Sequence, residues 1–190
     1  MTHHENKYAK YKDGKIKEFI VGECKKPVSC DIDETSLNSS HRNNKPICDY
    51  SSKLYDASTF KPIVPCNCRE CRNYKVESQG LYLVRKDDVE HYLERFKPVQ
   101  LRWNNQREVN PNYPVYNFGE SKGKTFHRVI IYPTEDMEKW VYKNSYKLTY
   151  SARAKFYVAI TRAKYSVAII TDFKDGIKLN GVQLYSRSQR

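Results

Sequence analysis

From Gly80 onward, short apolar runs alternate with stripes of helical spacing, and that rhythm restricts the chain more than any other feature. Gly80 to Val84 (GLYLV), Val99 to Trp103 (VQLRW), Tyr113 to Phe118, His127 to Tyr132 (HRVIIY) and Tyr165 to Thr171 (YSVAIIT) read as strands. The last has the unbroken apolar run of a strand covered on both faces. Between them, Val89, Tyr92, Leu93 and Phe96 fall at i, i+3, i+4 and i+7, the stripe of a helix lying on a sheet. Asp87 and Glu90 make a capping-box-like pair at its start, and Pro98 stops it. Thr134 opens a helix through Val141 with Met137, Trp140 and Val141 on its apolar side, and Ser151 caps another through about Lys164. Upstream, Pro46 in a first turn, followed by Ile47, Tyr50, Ser51 and Leu54, starts a further helix. Strands alternating with helices predict an α/β domain with a mostly parallel sheet. Asn180-Gly181 between Leu179 and Val182 predicts a closing hairpin.

The length of 190 residues suits one domain, or one domain with a small appendage. A hydrophobic fraction of 39% with 13% aromatics is enough for a core, which excludes disorder over most of the chain. No apolar run approaches the roughly 18 residues of a spanning helix, and MTHHENKYAK has no signal-peptide apolar region. Membrane insertion and secretion are therefore not expected, and a cytoplasmic location is. Six cysteines (Cys24, Cys30, Cys48, Cys66, Cys68 and Cys71) then read as reduced thiols. Cys66, Cys68 and Cys71, in PCNCREC, lie in the loop-rich stretch Asp56 to Ser78, the expected place of an insertion. Zinc could use these thiolates with Cys48 or Cys30 as a fourth ligand; the alternative is a loop with spare thiols. The C-x-C-x-x-C spacing has no second pair at a fixed offset, so no metal site is assigned.

Lys and Arg total 34 against 22 Asp and Glu, a formal net charge of +12. Such a surplus favours a polyanion such as nucleic acid, because neutralised phosphates release counterions; its other use is solubility. In Lys7 to Lys17 (KYAKYKDGKIK), Tyr8 and Tyr11 alternate with Lys, a pattern for stacking on bases while holding phosphates, or for a solvated N-terminal arm. Ile16 to Val21 reads as a short strand within this polar beginning.

No Walker A pattern occurs, and the nearest imitation, Gly119-Glu120-Ser121-Lys122-Gly123-Lys124-Thr125, spaces its glycines wrongly for a diphosphate cradle. No Ser/His/Asp order, HExxH pair or carboxylate dyad is present either. Parallel sheets place ligands at loops leaving the strands' carboxyl ends, often against helix N-termini. Three loops become candidates: the one before the Pro46 helix, the one around Ser121-Lys122-Gly123, and the end of the helix in TRAK.

Those loops hold the most specific motifs. Tyr157-Val158-Ala159-Ile160-Thr161-Arg162-Ala163, followed by an apolar strand, resembles motif VI of superfamily 1 helicases of the UvrD/Rep type. Ser121, Lys122, Gly123 and Phe126, before the strand HRVIIY, resemble motif V, and Ser39-Ser40-His41-Arg42-Asn43 resembles motif IV. The three occur in family order. The resemblance implies an α/β, three-layer RecA-like (P-loop NTPase-type) domain with a mostly parallel central sheet, the second motor domain (2A) of such a helicase. It covers residues 37–173, between a basic segment at 1–36 and a hairpin or tail at 174–190.

The same resemblance implies an ATP-dependent DNA helicase whose ATP and Mg²⁺ are held mainly by a P-loop-bearing domain 1A absent from this sequence. Alone, the chain is then expected to be inactive. Arg162 becomes the arginine finger and Arg42 a second γ-phosphate contact. His41 stands where the family stacks a Tyr on adenine, and Gly123 and Thr125 stand in the nucleotide-binding stretch, Thr125 in place of a ribose-binding Glu. Gly119 replaces a DNA-touching His, leaving single-stranded DNA to Gly119, Ser121 and Lys122. At about 100° per residue, Phe156, Ala159, Ile160 and Ala163 share the core face of a helix, with Arg162 about 120° from its centre. From there its fork could reach a phosphate across a cleft, as an arginine finger does. The alternative class is a non-catalytic nucleic-acid-binding module stabilised by zinc.

Overall fold

The computed structural model describes residues 22, 39–58, 60–68 and 76–187. The basic stretch at 7–17, the strand expected at 16–21, and Cys24, Cys30 and Cys71 lie outside the described residues. Ser39–Arg190 forms one unit.

The predicted alternation is present. In chain order the elements are β1 (Ser39–Ser40), α1 (Lys45–Ser52), β2 (Val64–Pro65), β3 (Gly80–Val84), a 3-10 turn (Lys86–Asp88) and α2 (Val89–Phe96). There follow β4 (Val99–Arg102), β5 (Val115–Asn117), β6 (Phe126–Ile131), α3 (Glu135–Tyr142), α4 (Tyr150–Ile160), β7 (Ala163–Ile170) and β8 (Gln183–Leu184). Six strands form one sheet in the order β5-β4-β6-β7-β3-β8, every pairing parallel, while β1 and β2 make a separate parallel pair.

Alternation along the strands separates the two faces. Leu81, Leu83, Val129, Ile131, Val167 and Ile169 face a core with α1, α3 and α4. Val84, Ile130, Ala168 and Ile170 face the opposite core, against Val89, Tyr92 and Leu93 of α2. The central strands are thus apolar on both faces because helices cover both, giving three layers. Trp140 of α3 meets Tyr50 of α1 and Phe156 of α4 edge-on, at ring centroids of 5.5 and 5.7 Å. Each such pair adds about 0.5–1.5 kcal/mol beyond area burial, so one indole ties three helices together.

Local chemistry fixes the element ends. Asn44 caps α1 through Oδ1, which accepts from Ile47 N at 3.2 Å, and the expected stripe of Ile47, Tyr50, Ser51 and Leu54 is buried. Thr134 and Thr149 cap α3 and α4 in the same way. Lys97 adopts a left-handed conformation (φ 45°) to end α2, since the residue before a proline avoids the helical region.

Several boundaries differ from expectation. Asp87 lies in the 3-10 turn and makes no capping box, because α2 starts only at Val89 and the Glu90 carboxylate accepts instead from Asn110 Nδ2 at 2.6 Å. Thr149 rather than Ser151 caps α4. That helix stops at Ile160 instead of Lys164, because Ala163 already pairs with Phe126 in the sheet. Arg162 is therefore in a two-residue turn, not on a helix flank. Leu179 and Val182 form the expected hairpin bridge around Gly181 (φ 79°), and the chain then adds β8 in parallel to β3, burying Tyr185.

Candidate functional site

The loop between β1 and α1 is built on Ser40. Its hydroxyl accepts from the amides of Arg42 (3.3 Å) and Asn43 (3.0 Å) and donates to Asn43 Oδ1 at 2.9 Å. Asn43 is buried, and its Nδ2 donates to the carbonyls of Thr161 (3.1 Å) and Ala163 (2.7 Å). Asn44 Nδ2 donates to Tyr165 O at 2.9 Å and Gln79 Oε1 at 3.2 Å. Two consecutive asparagines thus fasten the loop to the turn entering β7. Sequence reasoning missed both; the visible signal was an Asn directly before a Lys-Pro helix start, which marks an N-cap.

The turn after α4 closes on its own side chains. Thr161 Oγ1 donates to Tyr157 O at 2.8 Å, beside the Thr161 amide, and Arg162 Nε donates to Val158 O at 3.1 Å, a carbonyl that a longer helix would have bonded. Arg162 Nη1 reaches Lys124 O at 3.3 Å and Nη2 reaches Thr161 Oγ1 at 3.4 Å. Arg42 Nη1 donates to Thr161 O at 3.2 Å, and Arg42 Nε is buried without a hydrogen-bond partner. Among the described residues the hydrogen bonds of both arginines run to carbonyls and one hydroxyl, none to a carboxylate. Burial, and then the positive charge of Arg42, lower the Arg162 pKa. Two half-buried cations therefore influence each other, and no ion pair among the described residues accounts for them.

This pair occupies the edge where β6 and β7 begin, not the carboxyl edge expected for a parallel sheet. The reason is the helix–strand turn: a helix C-terminus offers carbonyls that hold guanidinium groups.

The loop at 119–125 borders the pair through Lys124 O. Gly119, Lys122, Gly123 and Thr125 are exposed, and Gly123 takes φ +84°, which favours glycine. Ser121, expected at the DNA surface, is fully buried, its hydroxyl donating to Phe118 O at 2.7 Å, so its side chain shapes the loop from inside. Thr125 lines a cleft with Phe126, Arg128 and Tyr165, whereas His41 lies in another.

The His41 cleft, about 460 Å³, is also lined by Arg42, Lys45, Cys66, Cys68 and Lys164. In it the ligand atoms of His41, Cys66 and Cys68 lie within 4.8 Å of one another. Cys48, considered a fourth zinc ligand, is not among them. It is buried in α1, with Sγ 3.6 Å from Asn43 O, and burial pushes its thiol up to about 11, which keeps it protonated.

No helix among the described residues is long and apolar enough to cross a membrane. No family model and no curated protein matches this chain. Solved structures similar to it include arterivirus nonstructural protein 10, a helicase, at 20% identity over 73% of this chain and 26% of that one (TM-score 0.45). PRRSV nsp10, a helicase, is 18% identical over 70% and 23% (TM-score 0.40). The C-terminal domain of a possible DNA helicase from Lactobacillus plantarum WCFS1 is 12% identical over 76% and 98% (TM-score 0.44). The chain spans about a quarter of the length of the two viral helicases.

Proposed function

We propose that this chain is a helicase motor domain of the UvrD type, which lends Arg42 and Arg162 to an ATP site completed by a P-loop domain. The observation behind this reading is an arginine pair that, among the described residues, bonds to carbonyls and one hydroxyl but to no carboxylate. Burial and the neighbouring Arg42 charge both lower the Arg162 pKa, so an anion is a favourable partner here, and a polyphosphate has the charge to pair with both. Neither a Walker A lysine nor its glycine cradle occurs in the sequence, so the P-loop, Mg²⁺ and most nucleotide contacts belong to the partner domain. Closure of the cleft would bring the arginines to the γ-phosphate. Hydrolysis would release them, and the loop at 119–125, joined to Arg162 through Lys124 O, would change its hold on single-stranded DNA through Gly119 and Lys122.

The test is ATP turnover with and without single-stranded DNA, by the chain alone and joined to a P-loop-bearing domain. The chain alone should show none. The joined protein should turn over ATP and lose about 10³-fold on Arg162→Ala. Turnover by the chain alone, or an unchanged rate in that variant, rejects the reading.

A further inference from the structure

We propose that His41, Cys66 and Cys68 form a zinc site that clips the Arg42 loop to β2. The backbone register creates the cluster. Ser39 pairs with Val64 and Ser40 with Pro65, and the Cys66 amide continues the ladder to Ser40 O at 2.7 Å, so His41 and Cys66 leave the two strands side by side. Cys68 then turns back on Cys66, its amide donating to Cys66 Sγ at 3.5 Å. That bond holds the two sulfur-bearing residues on one side of the loop.

The three donor atoms already lie within 4.8 Å of one another, against about 3.8 Å between sulfurs in a tetrahedral site with Zn–S bonds of about 2.3 Å. Side-chain rotation of roughly an ångström closes that gap, and His41 and Cys68 are exposed, which gives the metal a path in. Two thiolates and an imidazole select zinc over calcium or magnesium. On binding, each thiol gives its proton to solvent, and His41 coordinates through an unprotonated ring nitrogen. The described residues supply three of the four donors of a tetrahedral site.

The clip also explains why a two-residue parallel pair persists. Two residues of parallel ladder are marginal by themselves, and the ends they join, His41 and Cys66, lie 25 residues apart. A metal bond at that point holds the strand that leads directly into Arg42. It also reassigns His41, which cannot ligate zinc and stack on adenine at once. The inference stands independently of the nucleotide reading.

The test uses the 190-residue chain, purified, equilibrated with zinc and then passed over a chelating resin. Wild type and Cys48→Ala should retain about one zinc per chain, while His41→Ala, Cys66→Ser and Cys68→Ser fall to about a tenth or less. Circular dichroism reports whether each variant is folded. X-ray absorption on the wild type reads the ligands without mutation, and a shell of sulfur plus imidazole nitrogen is expected. No retained zinc, full retention in His41→Ala or the cysteine variants, or an all-sulfur shell overturns the proposal.

Discussion

Arg42 and Arg162 meet on a single residue: Arg42 Nη1 donates to the carbonyl of Thr161 at 3.2 Å, and Arg162 Nη2 to its hydroxyl at 3.4 Å. Like charges so placed oppose folding until an anion arrives. Pyrophosphate at ten times its Kd should therefore raise stability by about 1.4 kcal/mol, read as a rise in thermal midpoint. Arg42→Gln or Arg162→Gln should remove most of that rise. An equal rise in both variants would place the anion elsewhere.

Asn43 is the strut beneath this pair. Asn43→Ala removes the side-chain donor to the Ala163 carbonyl, leaves the Thr161 carbonyl to Arg42 Nη1, and removes the acceptor of Ser40 Oγ. A loss of about 2–4 kcal/mol in urea unfolding is expected. Exposed Asn105→Ala should cost far less.

The loop at 119–125 separates stability from binding. Ser121→Ala should cost about 1–2 kcal/mol for the lost bond to Phe118 O. Gly123→Ala should cost about 1 kcal/mol through backbone strain alone, since a Cβ there meets no atom within 4 Å. Lys122→Ala should leave unfolding unchanged and weaken single-stranded DNA binding, with the salt slope reduced by about 0.7. An unchanged slope would remove Lys122 from the DNA surface.

Alkaline pH should unfold the domain in a defined window. Burial pushes the Cys48 thiol up to about 11 and the Tyr92 and Tyr132 phenols up to about 12. Each raised value favours the neutral form in the fold. The stability is fully present below the unfolded values, about 8.5 for a thiol and 10 for a phenol, and is lost as pH rises through 11 to 12. The urea midpoint should fall across that window. Cys48→Ala should flatten its lower part, and a parallel decline in that variant would acquit the thiol.

The sheet and its helices were legible because β3 and the second halves of β6 and β7 are apolar runs, and α1, α2 and α3 bury most of the stripes their spacing announced. The end of α4 was not legible. YVAITRA reads as continuous helix, and only the pairing of Ala163 with Phe126 stops it after Ile160. Arg42 and Arg162 were singled out from motif resemblance. Their shared hold on Thr161 could not be read, because it depends on Asn43 and Asn44, which resemble ordinary capping residues until their long-range partners are known. His41 and Cys66 were likewise invisible as neighbours, since a two-residue parallel ladder leaves no pattern in sequence. The misplaced edge followed from a rule for helix N-termini, whereas this site is made at a helix C-terminus.

The bond between Asn43 and the carbonyl of Ala163 spans 120 positions of sequence. Contacts of such range slow folding, because the entropy of closing the loop is lost before the contact rewards it. Holding the Arg42 loop against the start of β7 therefore carries a cost in folding speed.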